Sequence, residues 1–396
     1  MSLHNEPAAD SALLRFFYCG RGDTILLEAR NGGCGIIDCN LTASSRADRR
    51  IRKHLEERGI GILEFVCLTH PDQDHYFGMK ELLAECFCAH DRKGVVPLFK
   101  QFWDSGADFR ALQAIADRRP GEKNRVAAKR FRDLNAFLAP LIALDAVKRV
   151  ALGELTIPAE RFGDFSIVAL GPRRNRVDHF MAQKYREVLQ SSEEQLQGPC
   201  EESNNLSAVL VMMHREQPLN ILLGGDATVD VWKEALQAWE RLRRLPGFES
   251  RTRHFSGVKV SHHGARGSLH PELYQDYCHA EDTVAVLSVG PGDPHHPHQE
   301  VLQMLTDQGI RTYATCWRTK DENRAEQETY GCLPLPGEPV RAGGAGSAGM
   351  TGPVVAGSSP DHFPRLTGHT CADIEITVYA DGRLEANPPE SLLQLG

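Results

Sequence analysis

The sequence predicts an α/β fold of layered strands and helices, on three observations. Short apolar runs alternate with helical patterns in both halves of the 396 residues. Several of those runs stop abruptly at clusters of His and Asp. Hydrophobic residues make up 41% and charged residues 25% of the chain, which is ordinary globular composition. That length suffices for one large α/β domain or two of ordinary size, and residues 1–396 are taken as one unit.

The elements follow in order. LLRFFYC, TILLEAR and CGIIDC, between positions 13 and 39, read as three short strands separated by glycine-rich turns. Residues 42–58 carry a helical pattern with a glycine stop at Gly59. ILEFVCLT is a continuous apolar run, as a strand buried on both faces requires. FGMKELLAECF reads as a helix, and 101–150 is helical in pattern and rich in charge. Further strands are expected at FSIVALG, SAVLVMMH, LNILL, VKV, TVAVLSVG and RTYATC, with SAVLVMMH and LNILL forming a hairpin. Helices are expected at DVWKEALQAWERLRRL and HQEVLQMLTDQG. Residues 341–360 are rich in glycine and serine and read as a loop. Asp381-Gly382 marks a closing hairpin.

Charge and cysteine usage exclude some functions. The formal charge is −8, so nucleic-acid binding would need a local basic patch. Such a run lies between 118 and 132 (Arg118, Arg119, Lys123, Arg125, Lys129, Arg130, Arg132). It reads either as a solvated helix face or as a surface that tracks phosphates, and Asp117, Glu122 and Asp133 dilute it. The first residues lack the basic-then-apolar pattern of a secretory leader, and no run is long enough to span a membrane. The 11 cysteines lack CxxC pairing, which points to reduced thiols and a cytoplasmic location. Cys86, Cys88 and His90 read as small core residues before they read as metal ligands. The sequence does not specify an oligomeric state.

The chemistry gathers at strand ends. Thr69-His70-Pro71-Asp72-Gln73-Asp74-His75 packs two imidazoles and two carboxylates behind a buried strand. Zinc and manganese both accept such mixed nitrogen and oxygen ligands. One Asp there could instead cap the next helix, but four ligand types exceed that need. Gly224-Gly225-Asp226 ends LNILL, and its glycines let the backbone approach closely. Alone it is also ordinary turn chemistry. Ser261-His262-His263-Gly264 ends VKV. In Asp293-Pro294-His295-His296-Pro297-His298 the histidines could act as general acid, hold phosphate, or stand idle in solvent; His296 is favoured for catalysis. His298, with Arg266, is assigned to the substrate.

In this order these motifs resemble the metallo-β-lactamase superfamily, and within it the hydrolase domain of ComEC/Rec2-type competence proteins. Cys19-Gly20-Arg21-Gly22-Asp23 with TILLEA resembles the opening VGQGDA-IL segment of that branch, and Ile36-Ile37-Asp38 its L-I-D strand. HPDQDH matches H-x-D-x-D-H. Asn204-Asn205-Leu206-Ser207, GGDAT, VKVSHHGARGS and His296-Pro297-His298 resemble its later motifs. Asn40 stands where the branch usually has glycine, and its membrane channel has no counterpart here.

The resemblance implies a four-layer αββα sandwich with a helical insertion at 88–160 and a loop insertion at 320–370. It implies two divalent ions, zinc or manganese. His70 and Asp72 would hold one ion; Asp74, His75 and His263 would hold the other. Asp226 would bridge them, and His262 would serve either. The superfamily's third histidine for the first ion is not evident, and Asn204 or His179 is named for that place. The implied activity is hydrolysis by water activated between the ions, with Asp74, Asp226 and His296 as catalytic residues. A phosphodiester is the first substrate class, with nucleic acid, DNA or RNA, as its first form and a small phosphodiester next, and a lactone or other acyl substrate is the alternative. The rival from another class is a metal-binding regulatory module without turnover.

Overall fold

The computed structural model describes residues 12–30, 32–41, 46–91, 94–118, 121–190, 201–280, 282–290, 293, 295–318, 369–379 and 381–387. The loop insertion expected at 320–370 lies outside these residues, except where the strand His369–Cys371 begins.

Two sheets face each other. The first has eight strands in the spatial order Leu384–Asn387, Ile374–Val378, Ala12–Phe16, Ile25–Glu28, Cys34–Ile37, Leu63–Cys67, Phe99–Asp104 and Lys148–Ala151. The second has seven, in the order Arg311–Ala314, Val284–Leu287, Gly257–Lys259, Asn220–Leu223, Val209–His214, Phe165–Gly171 and Thr156–Phe162. In each sheet an antiparallel meander passes into parallel strands. Parallel strands are buried on both faces, which explains why Val284–Leu287 reads as an unbroken apolar run and Leu63–Cys67 as one interrupted only by Glu64.

Three apolar layers hold the sandwich. Between the sheets lie Leu14, Ile37, Phe65, Met212, Leu223 and Val286. Phe65 stacks on Trp103 at 3.7 Å between ring centroids. The outer face of the first sheet packs on the helices Ala47–Arg58, Met79–Cys86 and Glu122–Ala143 through Ile51, Leu83, Phe131 and Leu138. The second sheet packs on Val229–Leu242, Pro271–Asp276 and Gln299–Asp307. Along Val229–Leu242 the buried positions Val231, Trp232, Ala235, Leu236, Ala238, Trp239 and Leu242 recur at helical spacing. Each large side chain buried there contributes roughly 1.5–3 kcal/mol. Helix, sheet, sheet, helix is therefore the order of layers.

The helix Ala47–Arg58 stops where Gly59 turns left-handed at φ 65° and its N–H bonds back to the last turn. The span 88–160 differs from the helical insertion expected of it. Helices occupy only Phe109–Asp117 and Glu122–Ala143. Phe99–Asp104 and Lys148–Ala151 on either side are strands of the first sheet, and Cys88–Asp91 pairs with Gly94–Pro97 in a hairpin. Among the described residues no helix is long and apolar enough to cross a membrane.

Candidate metal centre

The parallel strands of both sheets end at one edge, and the polar clusters leave them there. After Leu63–Cys67 the chain turns through Thr69 and His70 into the short helix Gln73–Tyr76. Asp72 holds the N-cap position of that helix, but its carboxylate makes no capping bond. Helix capping therefore does not account for Asp72. From the other sheet, Asn220–Leu223 leads through Gly224-Gly225 to Asp226. Gly225 is left-handed at φ 52°, and a Cβ there would lie 2.9 Å from Thr69 Oγ1, so only glycine lets the two sheets meet this closely. His262 and His263, after Gly257–Lys259, are both left-handed, at φ 49° and 53°. That conformation is strained for a residue with a Cβ and gathers at functional sites.

Three imidazoles are braced alike. His75 Nδ1 lies 2.7 Å from Asp38 Oδ2. His263 Nδ1 donates to the Ser288 carbonyl at 2.7 Å. Thr69 Oγ1 donates to Asp38 at 2.7 Å, so its lone pair is left to accept from His70 Nδ1 at 3.1 Å. With Nδ1 occupied as donor, each ring turns its Nε2 inward. These Nε2 atoms are buried and without a hydrogen-bond partner. They surround one atom, Asp226 Oδ2, at 3.3 Å from His75, 3.9 Å from His263 and 4.0 Å from His70. Asp74 Oδ2 lies 3.4 Å from His263 Nε2, and Asp72 Oδ2 lies 3.9 Å from His70 Nε2. Inward-facing ring nitrogens gathered around carboxylate oxygens fit a divalent cation, and without one they are positioned to take protons instead.

Two acids here were not singled out as site residues in the sequence reading. Asp38 braces both Thr69 and His75 from its own left-handed position at φ 57°. Asp23 offers an oxygen within 4.8 Å of ligand atoms of His75, Asp226 and His263. Lys259 touches the Asp23 carboxylate, donates to the Gly225 carbonyl at 3.0 Å and lies 3.6 Å from Asp226 Oδ1. Its side chain is 1% exposed. We therefore read Asp23 as the partner of a buried ammonium before a ligand. Both acids lie in motifs that carried the resemblance, CGRGD and IID, which were the available signal.

The acids set the protonation of the histidines. Burial is the largest single effect and would lower His75 and His263, but the surrounding carboxylates together outweigh it, Asp226 with Asp38 and Asp74 for His75 and Asp226 with Asp74 and Asp23 for His263: His75 is held well above its usual range and His263 is pushed up to about 9. His70 goes the other way, well below its usual range, through burial and the charge on His75. Burial and the neighbouring Asp74 push Asp72 up to about 7. Asp226 is held far below the usual carboxylate range by His75 and His263 against the effect of burial. In the absence of a cation, protons thus take up part of an excess of negative charge.

The outer residues differ. His262 Nε2 is 3.8 Å from Asp226 Oδ2, and the buried Asn204 amide donates to its Nδ1 at 3.3 Å. Asn204 thus orients His262. His296 bonds Asp293 at 3.2 Å and lies 5.1 Å from the His262 ring, at the rim. Asp293 also pairs with Arg21 at 2.9 Å. His298, assigned to the substrate, instead caps Gln299–Asp307 by accepting from Glu300 N. Arg266, also assigned to the substrate, pairs with Glu300 at 2.9 Å on the surface. His179 is exposed on Arg174–Gln190 and lines a cleft of about 230 Å³ with Arg176, Phe180, Gln183, Lys184 and Asn205. It is not one of the residues gathered around Asp226 Oδ2. Asn40, the departure from the expected glycine, donates its side-chain N–H to the Arg21 carbonyl over Gly22.

Two mixed sheets back to back, helices outside, and H-x-D-x-D-H, Asp and His at the shared strand edge decide the architecture. The fold is a four-layer αββα sandwich that resembles the metallo-β-lactamases. The chain resembles the competence-protein branch of that superfamily, as its motifs implied. It is 26% identical over 326 residues to ComE operon protein 3 of Bacillus subtilis (strain 168), covering 78% of this chain. It spans only 32% of that relative's length. No protein-family model matches. Among solved structures, unliganded yeast PDE1 aligns with TM-score 0.39 and 10% identity, covering 77% of this chain and 97% of that one. A mutant of the CmlA beta-hydroxylase aligns with TM-score 0.36 and 12% identity, covering 78% and 53%. A diphosphatase from the PhnP family aligns with TM-score 0.33 and 11% identity, covering 76% and 85%. Alignments this loose assign no chemistry. Among the described residues, Asp23, His75, Asp226 and His263 bring buried ligand atoms within 4.8 Å of one another, a cluster able to hold a metal ion.

Proposed function

We propose that this metallo-β-lactamase-fold chain is a phosphodiesterase working with two divalent ions, zinc or manganese. The observation that carries the reading is the convergence of the three braced Nε2 atoms on Asp226 Oδ2. His70 and Asp72 would hold one ion, Asp74, His75 and His263 the other, with Asp226 between them. Bound there, the ions would lower the pKa of water and offset the charge that grows on phosphoryl oxygens. The chain's own residues supply the rest. Asp38 and the Ser288 carbonyl keep His75 and His263 aimed inward. Asn204 occupies His262 Nδ1, so His262 presents an N–H towards the site and, with His296, is placed to hand a proton to a leaving oxygen.

The phosphodiester class rests on the likeness to a ComE operon protein and on this ligand chemistry. One observation favours a small phosphodiester over a long nucleic acid. In the basic run, Lys129 pairs with Asp133 and Arg132 with Asp117, and Arg130 lies over Phe77. Three of the run's seven cations thus have partners within the protein. A nucleic-acid substrate would show affinity falling steeply with salt, whereas a small phosphodiester would not.

The test is hydrolysis of bis(4-nitrophenyl) phosphate by protein stripped with chelator, then supplied with zinc or manganese. Turnover restored by metal is the expected result. No turnover from a folded protein that binds metal would contradict it and favour an acyl substrate or a binding module.

A further inference from the structure

Cys316 and Cys371 stand apart from the other described cysteines. Cys34, Cys39 and Cys67 are buried, and burial pushes their thiols up. Cys316–Arg318 and His369–Cys371, by contrast, pair antiparallel with Cys316 directly opposite Cys371. Opposed residues in such a pair have Cα atoms about 4.5–5.5 Å apart. A disulfide spans about 4.4–6.8 Å, so bonding these two needs no backbone movement. Their Sγ atoms are 2.8 Å apart. Cys316 is buried and Cys371 is partly exposed, which leaves one sulfur open to attack and its partner behind it.

The position matters to the fold. Cys316 continues from Arg311–Ala314 at the edge of the second sheet. Cys371 leads through Ala372 and Asp373 into Ile374–Val378 of the first. Ala372 N–H donates to the Thr315 carbonyl at 2.9 Å, and Asp373 accepts from Tyr18 N at 2.8 Å and pairs with Arg50 at 3.1 Å. Tyr18 opens the loop that carries Asp23.

We propose that Cys316 and Cys371 are a thiol–disulfide exchange site: a reversible latch between the two sheets, closed by a low-molecular-weight disulfide such as oxidised glutathione. The Cys371 thiolate attacks one sulfur of that disulfide, forms a mixed disulfide and expels one glutathione thiolate. Cys316 gives its proton to solvent and attacks Cys371 Sγ, expelling the second glutathione. Two protein thiols are oxidised and one glutathione disulfide is reduced to two thiols. Hydrogen bonds from Cys316 and Tyr18 hold the Cys371 thiol below its ordinary range, which favours the thiolate as the attacking group.

The test treats the full chain with oxidised glutathione, blocks residual thiols by alkylation and maps peptides by mass spectrometry. The expected result is one peptide pair linked through Cys316 and Cys371, lost on treatment with dithiothreitol. In Cys316→Ser, glutathione should stay attached at Cys371. Wild-type chain in which both cysteines remain alkylatable, or in which Cys371 links elsewhere, would overturn the proposal. As a check free of variants, oxidised wild type should melt at a higher temperature than reduced wild type. Equal melting temperatures would overturn the latch.

Discussion

The inner histidines and the rim histidines share one sheet edge but are held differently. His70, His75 and His263 are buried, and a hydroxyl, a carboxylate and a carbonyl fix their Nδ1 atoms. Their orientation is set before any ligand arrives, which lowers the entropic cost of binding a cation. His296 and His298 are partly exposed, and each answers to its own loop or helix: His296 to Asp293, His298 to the N-terminus of Gln299–Asp307. His262 lies between, facing Asp226 with its other nitrogen on Asn204. The contrast teaches that histidine abundance near a site is a poor guide to function. What the second ring nitrogen touches is the better one.

The largest expected effect strikes the inner set through Lys259. Lys259→Met removes the ammonium that faces Asp23 and Asp226 and leaves those buried carboxylates uncompensated. Loss of one partner from such a pair costs about 3–5 kcal/mol. Denaturant unfolding of the chelated protein should show that loss, and adding Asp23→Leu should recover part of it. No recovery would break the pairing of Lys259 with Asp23.

Asp38→Asn sharpens the comparison next. It keeps the shape but weakens the brace on His75 and Thr69. Metal affinity should fall about 10–100-fold, the usual effect of losing a partner behind a ligand. Asn204→Ala, which acts on His262, should leave metal affinity near wild type and lower turnover. Equal metal affinity in Asp38→Asn and wild type would mean that the brace is irrelevant.

The smallest effect belongs to the rim. His298→Ala removes a helix cap and should cost about 0.5 kcal/mol, the low end for a lost cap. Its turnover should match wild type. A large rise in KM would return His298 to the substrate.

Much of this was legible in the sequence, for physical reasons. Strands buried on both faces must be mostly apolar, so Leu63–Cys67 and Asn220–Leu223 declared themselves despite Glu64 and Asn220, and the polar clusters after them marked the shared edge. Lys148–Ala151 did not. It is an edge strand, only partly buried and basic, and beside Glu122–Ala143 it passed for more helix. His70, Asp72, Asp74, His75, Asp226 and His263 were visible because ligand types crowd together there. Lys259 was invisible because a lysine inside an apolar strand is normally the solvated position, and only the carboxylates from another part of the chain explain its burial. For His298 and Arg266 the sequence shows less, because a histidine or arginine in a loop looks alike whether it meets substrate, a helix end or a neighbouring acid.

The most direct test of the central claim is a titration of chelated protein with zinc or manganese across a pH series, beside Asp226→Ala. The raised pKa values of His75 and His263 mean that both carry protons near neutral pH before metal arrives. Binding must expel those protons, so affinity should climb as pH rises towards about 9, where His263 deprotonates. The account predicts two ions bound, protons released, and most of the affinity lost in Asp226→Ala with the fold retained. Absent binding, or binding indifferent both to pH and to Asp226, would contradict it.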